Sequence, residues 1–117
     1  MKKIKEGEKI FFPNLQAKIS FISSDQAASA LAQLTTKEIT GPLNIASPTP
    51  ISLKRFIDKL EKHCGKKALI CDNASSAPSS PYGIADDAYM DCKEMERLHL
   101  RVSEIESCLD DILARCP

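Results

Sequence analysis

Gly41-Pro42-Leu43-Asn44-Ile45-Ala46-Ser47-Pro48-Thr49-Pro50-Ile51-Ser52-Leu53-Lys54-Arg55-Phe56 is the stretch on which the reading of this chain turns. Gly41-Pro42 closes whatever precedes it. Leu43-Asn44-Ile45-Ala46 is short and partly apolar, as a buried strand can be, and Pro48 and Pro50 end it. Ser52 then offers a side-chain oxygen to the first turn of a helix. Leu53, Phe56, Ile57, Leu60 and Cys64 follow at helical spacing. Gly65 supplies the stop, with Lys62 and His63 in the last turn beside the negative end of the helix dipole. The spacing predicts a helix over 52–64.

Upstream, Ile19-Ser20-Phe21-Ile22 alternates weakly and predicts a short strand. Ser24 or Asp25 is expected to cap a helix whose apolar face is Ala27, Ala28, Ala30, Leu31 and Leu34. Residues 1–18 are mixed and polar, with Phe11, Phe12 and Pro13 as a short extended piece. Downstream, Ala68-Leu69-Ile70-Cys71 predicts a third strand. Residues 72–87 are rich in Ser, Ala, Pro, Asn and Asp and show little periodicity, which predicts a loop. Asp91 with Glu94 forms a capping-box pattern over Met95 and Leu98. Ser103 with Glu106 forms another over Ile105, Cys108, Leu109, Ile112 and Cys116, so two helices are expected in 88–117.

The order strand, helix, strand, helix, strand, loop, helix, helix argues for an α/β fold. It amounts to a small, partly parallel sheet of about three short strands with about four helices. The expected organisation is one small domain over 1–117: an N-terminal segment 1–18, a strand-helix-strand-helix-strand unit 19–71, a loop 72–87 and C-terminal helices 88–117. A sheet of three strands leaves edges that another layer or another chain would cover.

Composition narrows the function classes. The 117 residues are 43% hydrophobic and 27% charged, enough apolar material for a core. Sixteen basic and sixteen acidic residues cancel, so nucleic acid is not an expected partner. Met1-Lys2-Lys3-Ile4-Lys5 looks like the charged start of a signal peptide, but Glu6, Gly7, Glu8 and Lys9 interrupt the apolar run that should follow. No stretch approaches about 18 uninterrupted apolar residues, so no membrane partner is expected and the default location is the cytoplasm. Cys64, Cys71, Cys92, Cys108 and Cys116 are odd in number and lack C-x-x-C spacing. They read as reduced thiols serving as small hydrophobes, Cys64 and Cys108 on the apolar helix stripes.

Asn44-Ile45-Ala46-Ser47 followed by Pro50-Ile51-Ser52-Leu53-Lys54-Arg55-Phe56, with Gly41 upstream, resembles a segment of the extended short-chain dehydrogenases/reductases. These are the NAD-dependent epimerases, dehydratases and reductases that act mostly on nucleotide sugars. Ile19-Ser20-Phe21-Ile22-Ser23-Ser24-Asp25-Gln26-Ala27 is similar to the family's strand ending in an Asp-Asp-x-Ala helix start. Tyr89-Met90-Asp91-Cys92 and Met95-Glu96-Arg97-Leu98 are similar to its late Asp-x-Ser-Lys…Leu-Gly element. The resemblance runs over roughly 18–115 in family order. It implies the C-terminal, substrate-side part of an extended Rossmann-type dehydrogenase without its dinucleotide-binding half. Under it Lys18, near where many members carry a basic residue for the nucleotide phosphates, and Tyr82 are the substrate-binding candidates.

The departures are specific. The tandem acidic pair is Ser24-Asp25 here, the late Ser-Lys falls on Lys93-Glu94, and the late glycine falls on His99. The substrate-facing arginine has no counterpart in 72–87. Gly7, Gly41, Gly65 and Gly83 stand too far apart to build a G-x-G-x-x-G turn. NAD or NADP is therefore implied for the full-length family, and no cofactor is expected to bind this chain alone.

Other constellations read as structural. Tyr89 and Lys93 have the Tyr-x-x-x-Lys spacing of the family's proton-transfer pair, but Tyr89 precedes the expected cap at Asp91, so the two should straddle a helix start. His63-Cys64 point apart on a helix and lack further ligands. His99 reads as a turn residue, and Asp86-Asp87 as solvated acids. No catalytic and no metal-binding residues are expected. The leading expectation is a substrate-side segment of a nucleotide-sugar epimerase, dehydratase or reductase, not catalytic alone. It would self-associate or meet a dinucleotide-binding partner domain, with a nucleotide sugar as small-molecule partner. A non-catalytic protein-binding or assembly module is the alternative. An unrelated small enzyme using residues of 72–93 finds no base–nucleophile pair to support it.

Overall fold

The computed structural model describes residues 1–75, 77 and 80–117. Ser76, Pro78 and Ser79, within the expected 72–87 loop, lie outside the described residues. The elements in order are α1 (Lys2–Glu6), β1 (Lys9–Phe11), β2 (Lys18–Ile19), α2 (Ser24–Leu34), β3 (Ile51–Ser52), α3 (Leu53–Cys64), β4 (Leu69–Cys71), α4 (Lys93–Arg97) and α5 (Ile105–Arg115). The fold is α/β, as its alternation of strand and helix implies.

β1 runs parallel to β4, with Lys9, Ile10 and Phe11 opposite Leu69, Ile70 and Cys71. β2 runs antiparallel to β3, with Lys18 opposite Ser52 and Ile19 opposite Ile51. Residues 1–18 are thus more ordered than their polar composition implies. The extended piece expected at Phe11-Phe12-Pro13 lies two residues earlier, and α1 buries Ile4.

α3 forms where its spacing places it. Ser52 Oγ accepts the Arg55 N–H at 3.2 Å, and Gly65 closes the helix in the left-handed conformation at φ 65°. Leu53 and Ile57 are buried, while Phe56, Leu60 and Cys64 are half-buried. Burial of Leu53 and of Ile57 stabilises by roughly 1.5–3 kcal/mol each. α2 is capped by Ser23, whose side chain accepts the Gln26 N–H, one residue before the expected Ser24 or Asp25. Its inner face is Gln26, Ala27, Ala30, Gln33 and Leu34, whereas Ala28 and Leu31 are exposed. The two glutamines occupy that face because they bind backbone. Gln26 Oε1 accepts the Ser103 N–H, and Gln33 both accepts from and donates to the Arg101 backbone.

Leu43-Asn44-Ile45-Ala46 does not form the expected strand. It makes no ladder; the segment is tied down by one backbone bond, Ser47 N–H to Phe21 O at 2.9 Å, and by Asn44 Nδ2 donating to Asp91 O. Its apolar side chains are nevertheless used. Ala46 is buried with Cys92, Met95 and Leu100, and Leu43 and Ile45 pack against that cluster. A second cluster joins Ile51, Ile105 and Leu109, with Phe21 and Phe56 against it.

The two expected capping boxes do not close either. Asp91 Oδ1 accepts the Lys93 N–H, but Glu94 turns to Arg97. Ser103 gives its N–H to Gln26, and Glu106 pairs with Arg55, so long-range partners outcompete the local ones. α4 ends in a Schellman turn. The Leu100 N–H donates to Met95 O and the His99 N–H to Glu96 O, with His99 at φ 53°.

The molecule is a slab of 50 × 31 × 16 Å. Its radius of gyration is 16.3 Å, against about 13 Å for a globule of this length. Among the described residues, no helix is long and apolar enough to cross a membrane.

Candidate functional site

Of the substrate-side candidates, Lys18 lies on β2 just before the Ser20–Ser23 connector, and Tyr82 touches Phe21 of that connector. β2 carries Lys18, whose side chain is exposed and makes no ion pair among the described residues. Its backbone is held on both sides: the N–H donates to Asp87 Oδ1 at 2.8 Å, and the carbonyl accepts the Ala88 N–H at 2.8 Å. Ile19 bridges Ala88 in parallel, and Ser20 Oγ accepts the Met90 N–H. Asn14 Nδ2 donates to Ala85 O. Residues 85–90 are thereby stitched along β2 as a ledge with Lys18 at its edge. Asp86 and Asp87 are both exposed, as the sequence reads them, and Asp87 in addition accepts the Lys18 N–H. Tyr89 and Met90, 55% and 51% exposed, lie on that ledge and offer an apolar surface beside a free cation.

Tyr82 is exposed, and its ring tilts against Phe21 at 6.2 Å. Phe21 in turn stacks on Phe56 at 5.1 Å. Tyr82 also borders an apolar groove of about 370 Å³ whose floor is Ile4, Ile10, Leu53, Ile57, Leu109 and Leu113. No hydrogen bond or ring contact joins Lys18 to Tyr82 directly. The Ser20–Ser23 connector touches both: Ser20 Oγ binds the ledge at Met90, and Phe21 meets Tyr82 at the rim of the groove.

The remaining sequence candidates are placed plainly. Tyr89 precedes α4 and Lys93 begins it, so the pair straddles the helix start, and Lys93 Nζ lies 3.7 Å from Asp91. His63 and Cys64 end α3. His99 is an exposed turn residue. No cluster of three metal-ligating side chains occurs among the described residues. Cys92 and Cys108 are buried, and Cys64, Cys71 and Cys116 are half-buried, all five as free thiols. Cys64 is thus more open than its stripe position implies. Burial pushes the Cys92 thiol up, away from a reactive thiolate.

Charged groups elsewhere serve the scaffold. Glu61 accepts from Lys67 Nζ and from the Ala68 N–H, each at 2.8 Å, and these bonds hold its carboxyl below the usual range. Glu106 is lowered by its hydrogen bond with Arg55, tying α5 to α3, and Lys59 adds a bond to Asp110.

The glycines do not fit a dinucleotide. Gly7 and Gly65 close helices, Gly41 sits in a bend, and Gly83 lies within the long β4–α4 connection beside Pro13; none directly joins the end of a strand to the first turn of a helix. The junctions β2–α2 and β3–α3 carry side chains where close backbone approach to a pyrophosphate is needed.

No protein-family model matches the chain, and no curated protein matches it. Among solved structures it is similar to the crystal structure of a "putative epimerase" from Burkholderia cenocepacia J2315, with a TM-score of 0.68 and 15% identity. The superposition covers 96% of this chain and 37% of that one. At that identity the likeness is one of fold: the fold of this chain is epimerase-like. The chain spans little more than a third of the length of the protein it matches.

Proposed function

We propose that this chain is the substrate-side segment of a nucleotide-sugar epimerase, dehydratase or reductase of the extended short-chain dehydrogenase/reductase type, not catalytic alone. The observation that carries this reading is the near-complete superposition of the chain on a 37% portion of an epimerase-described structure. The order of its Asn44–Phe56, Ile19–Ala27 and Tyr89–Leu98 segments supports it. A dinucleotide-binding partner domain would hold the NAD or NADP, since the chain lacks the glycine turn for it. Lys18 would meet the nucleotide phosphates and Tyr82 the uracil-like or sugar ring by stacking. A cytoplasmic site of action goes with this reading.

NMR titration of the labelled chain with UDP-glucose tests it. Shifts confined to residues near 18–21 and 82–90, weakened about tenfold by Lys18→Ala, are expected. Shifts elsewhere, or insensitivity to Lys18→Ala, would contradict the assignment. The second reading, a non-catalytic assembly module, is favoured by the slab shape and the open apolar groove. It gives no shifts with the sugar nucleotide at all.

A further inference from the structure

Resting on the nucleotide-sugar reading, we propose that Tyr89 is the base-stacking residue of the Lys18 site: Lys18 takes a phosphate and Tyr89 the planar base joined to it through a ribose. The register of the ledge on β2 carries this. Ile19 lies opposite Ala88 in a parallel bridge, and the Ala88 N–H donates to Lys18 O at 2.8 Å. Residues opposite each other in a ladder point to the same face, and neighbours along a strand alternate. Ile19 and Ala88 therefore share one face, and Lys18, Ser20, Asp87 and Tyr89 share the other. The partner strand tells which face is which. Ile19 is opposite the buried Ile51, whereas Lys18 is opposite Ser52, so the face of Lys18 and Tyr89 is the outer one. The two are diagonal neighbours there, about 7–8 Å apart at the backbone, a gap that one ribose bridges.

Both side chains are open to a ligand. Tyr89 is 55% exposed and makes no ring contact among the described residues, whereas the ring of Tyr82 leans on Phe21. Lys18 is exposed and makes no ion pair among the described residues. An aromatic face beside a cation suits a base on a phosphate, because stacking accepts any flat π-system while the ammonium holds the charge. Of the two rings that Tyr82 could meet, this leaves it the sugar. Asp87 stands directly opposite Lys18 on the same face, with Oδ1 taken by the Lys18 N–H. Its charge opposes an anion at Lys18, so Asp87→Asn, which keeps the acceptor oxygen, is expected to tighten nucleotide binding.

NMR titration of the whole chain with UMP and with ribose 5-phosphate tests the assignment. Tyr89→Ala is expected to weaken UMP at least about fivefold, the low end for one base–aromatic stack, while Tyr89→Phe keeps the affinity. Ribose 5-phosphate, which has no base, is expected to be indifferent to Tyr89→Ala and weakened by Lys18→Ala. Two tyrosines and no tryptophan add a spectroscopic reading. In Tyr82→Phe the lone emitter is Tyr89, and UMP is expected to quench it; in Tyr89→Phe the lone emitter is Tyr82, and UMP is expected to leave it unchanged. UMP binding that Lys18→Ala weakens and Tyr89→Ala does not, or quenching of Tyr82 alone, overturns the role of Tyr89 and leaves the nucleotide-sugar reading standing. Absence of binding by the wild-type chain to both UMP and UDP-glucose overturns the two together.

Discussion

Phe21 and Phe56 stack with ring centroids 5.1 Å apart and planes 9° from parallel. One ring comes from the β2–α2 connector and the other from the apolar stripe of α3. Both lie against Ile51, Ile105 and Leu109, so this pair ties three parts of the chain together. Because Phe56 is half-buried, Phe56→Ala is expected to cost about 2–3 kcal/mol, less than a fully buried ring. Urea denaturation measures it. A loss under about 0.5 kcal/mol would mean that the ring is not anchored there.

His99 holds a left-handed backbone at φ 53°, where a side chain is strained and glycine is not. His99→Gly is expected to raise stability by about 0.5–1 kcal/mol, or roughly 4 °C in melting temperature. His99→Ala keeps the strain and should give no gain. A lower melting temperature for His99→Gly than for wild type would show that the imidazole contributes something the turn does not require.

Glu61 sets a pH dependence. Its carboxyl is held low by Lys67 and by the Ala68 N–H, so it favours the folded state only when ionised. The contribution is present above the unfolded value of about 4.3 and is lost as pH falls through the lower folded value. Wild type should therefore lose stability on acidification below about pH 4.3, and Glu61→Gln should be weaker at pH 7 with a flatter acid limb. Parallel acid limbs for the two proteins would remove Glu61 from the α3–β4 turn.

The five thiols should separate by burial. Native alkylation is expected to reach Cys64, Cys71 and Cys116 well before Cys92 and Cys108. Peptide mass mapping resolves the order. Early labelling of Cys92 would contradict its place beside Met95 and Leu100.

Local signals and distant ones explain what could be read from the sequence. Ser52, the Leu53–Cys64 stripe and Gly65 act within a few residues of each other, so α3 is legible to within one residue. His99 is legible in part: the resemblance marks a glycine there, and the backbone keeps the glycine conformation without the glycine. Leu43-Asn44-Ile45-Ala46 reads as a strand because its apolar content is real. Its burial comes from Met95 and Leu100, not from a ladder, and periodicity does not distinguish the two. Ser103 and Glu106 match a capping box, yet Gln26 and Arg55 take them from 77 and 51 residues away. Asp87 and Asn14 likewise hold the ledge beside Lys18 through partners about 70 residues distant, which no window of sequence contains. The substrate-side candidates Lys18 and Tyr82 are marked by the resemblance alone. The connector that relates them, Ser20 to Ser23, is visible only in three dimensions.

Calorimetric titration of the chain with UDP-glucose and, separately, with NAD and NADP separates a substrate-side segment from a dinucleotide-binding one. A substrate-side segment is expected to bind UDP-glucose at or below about 1 mM and no dinucleotide as tightly as about 10 μM. A dinucleotide dissociation constant at or below about 10 μM, or no heat from UDP-glucose at several millimolar, would contradict the substrate-side assignment.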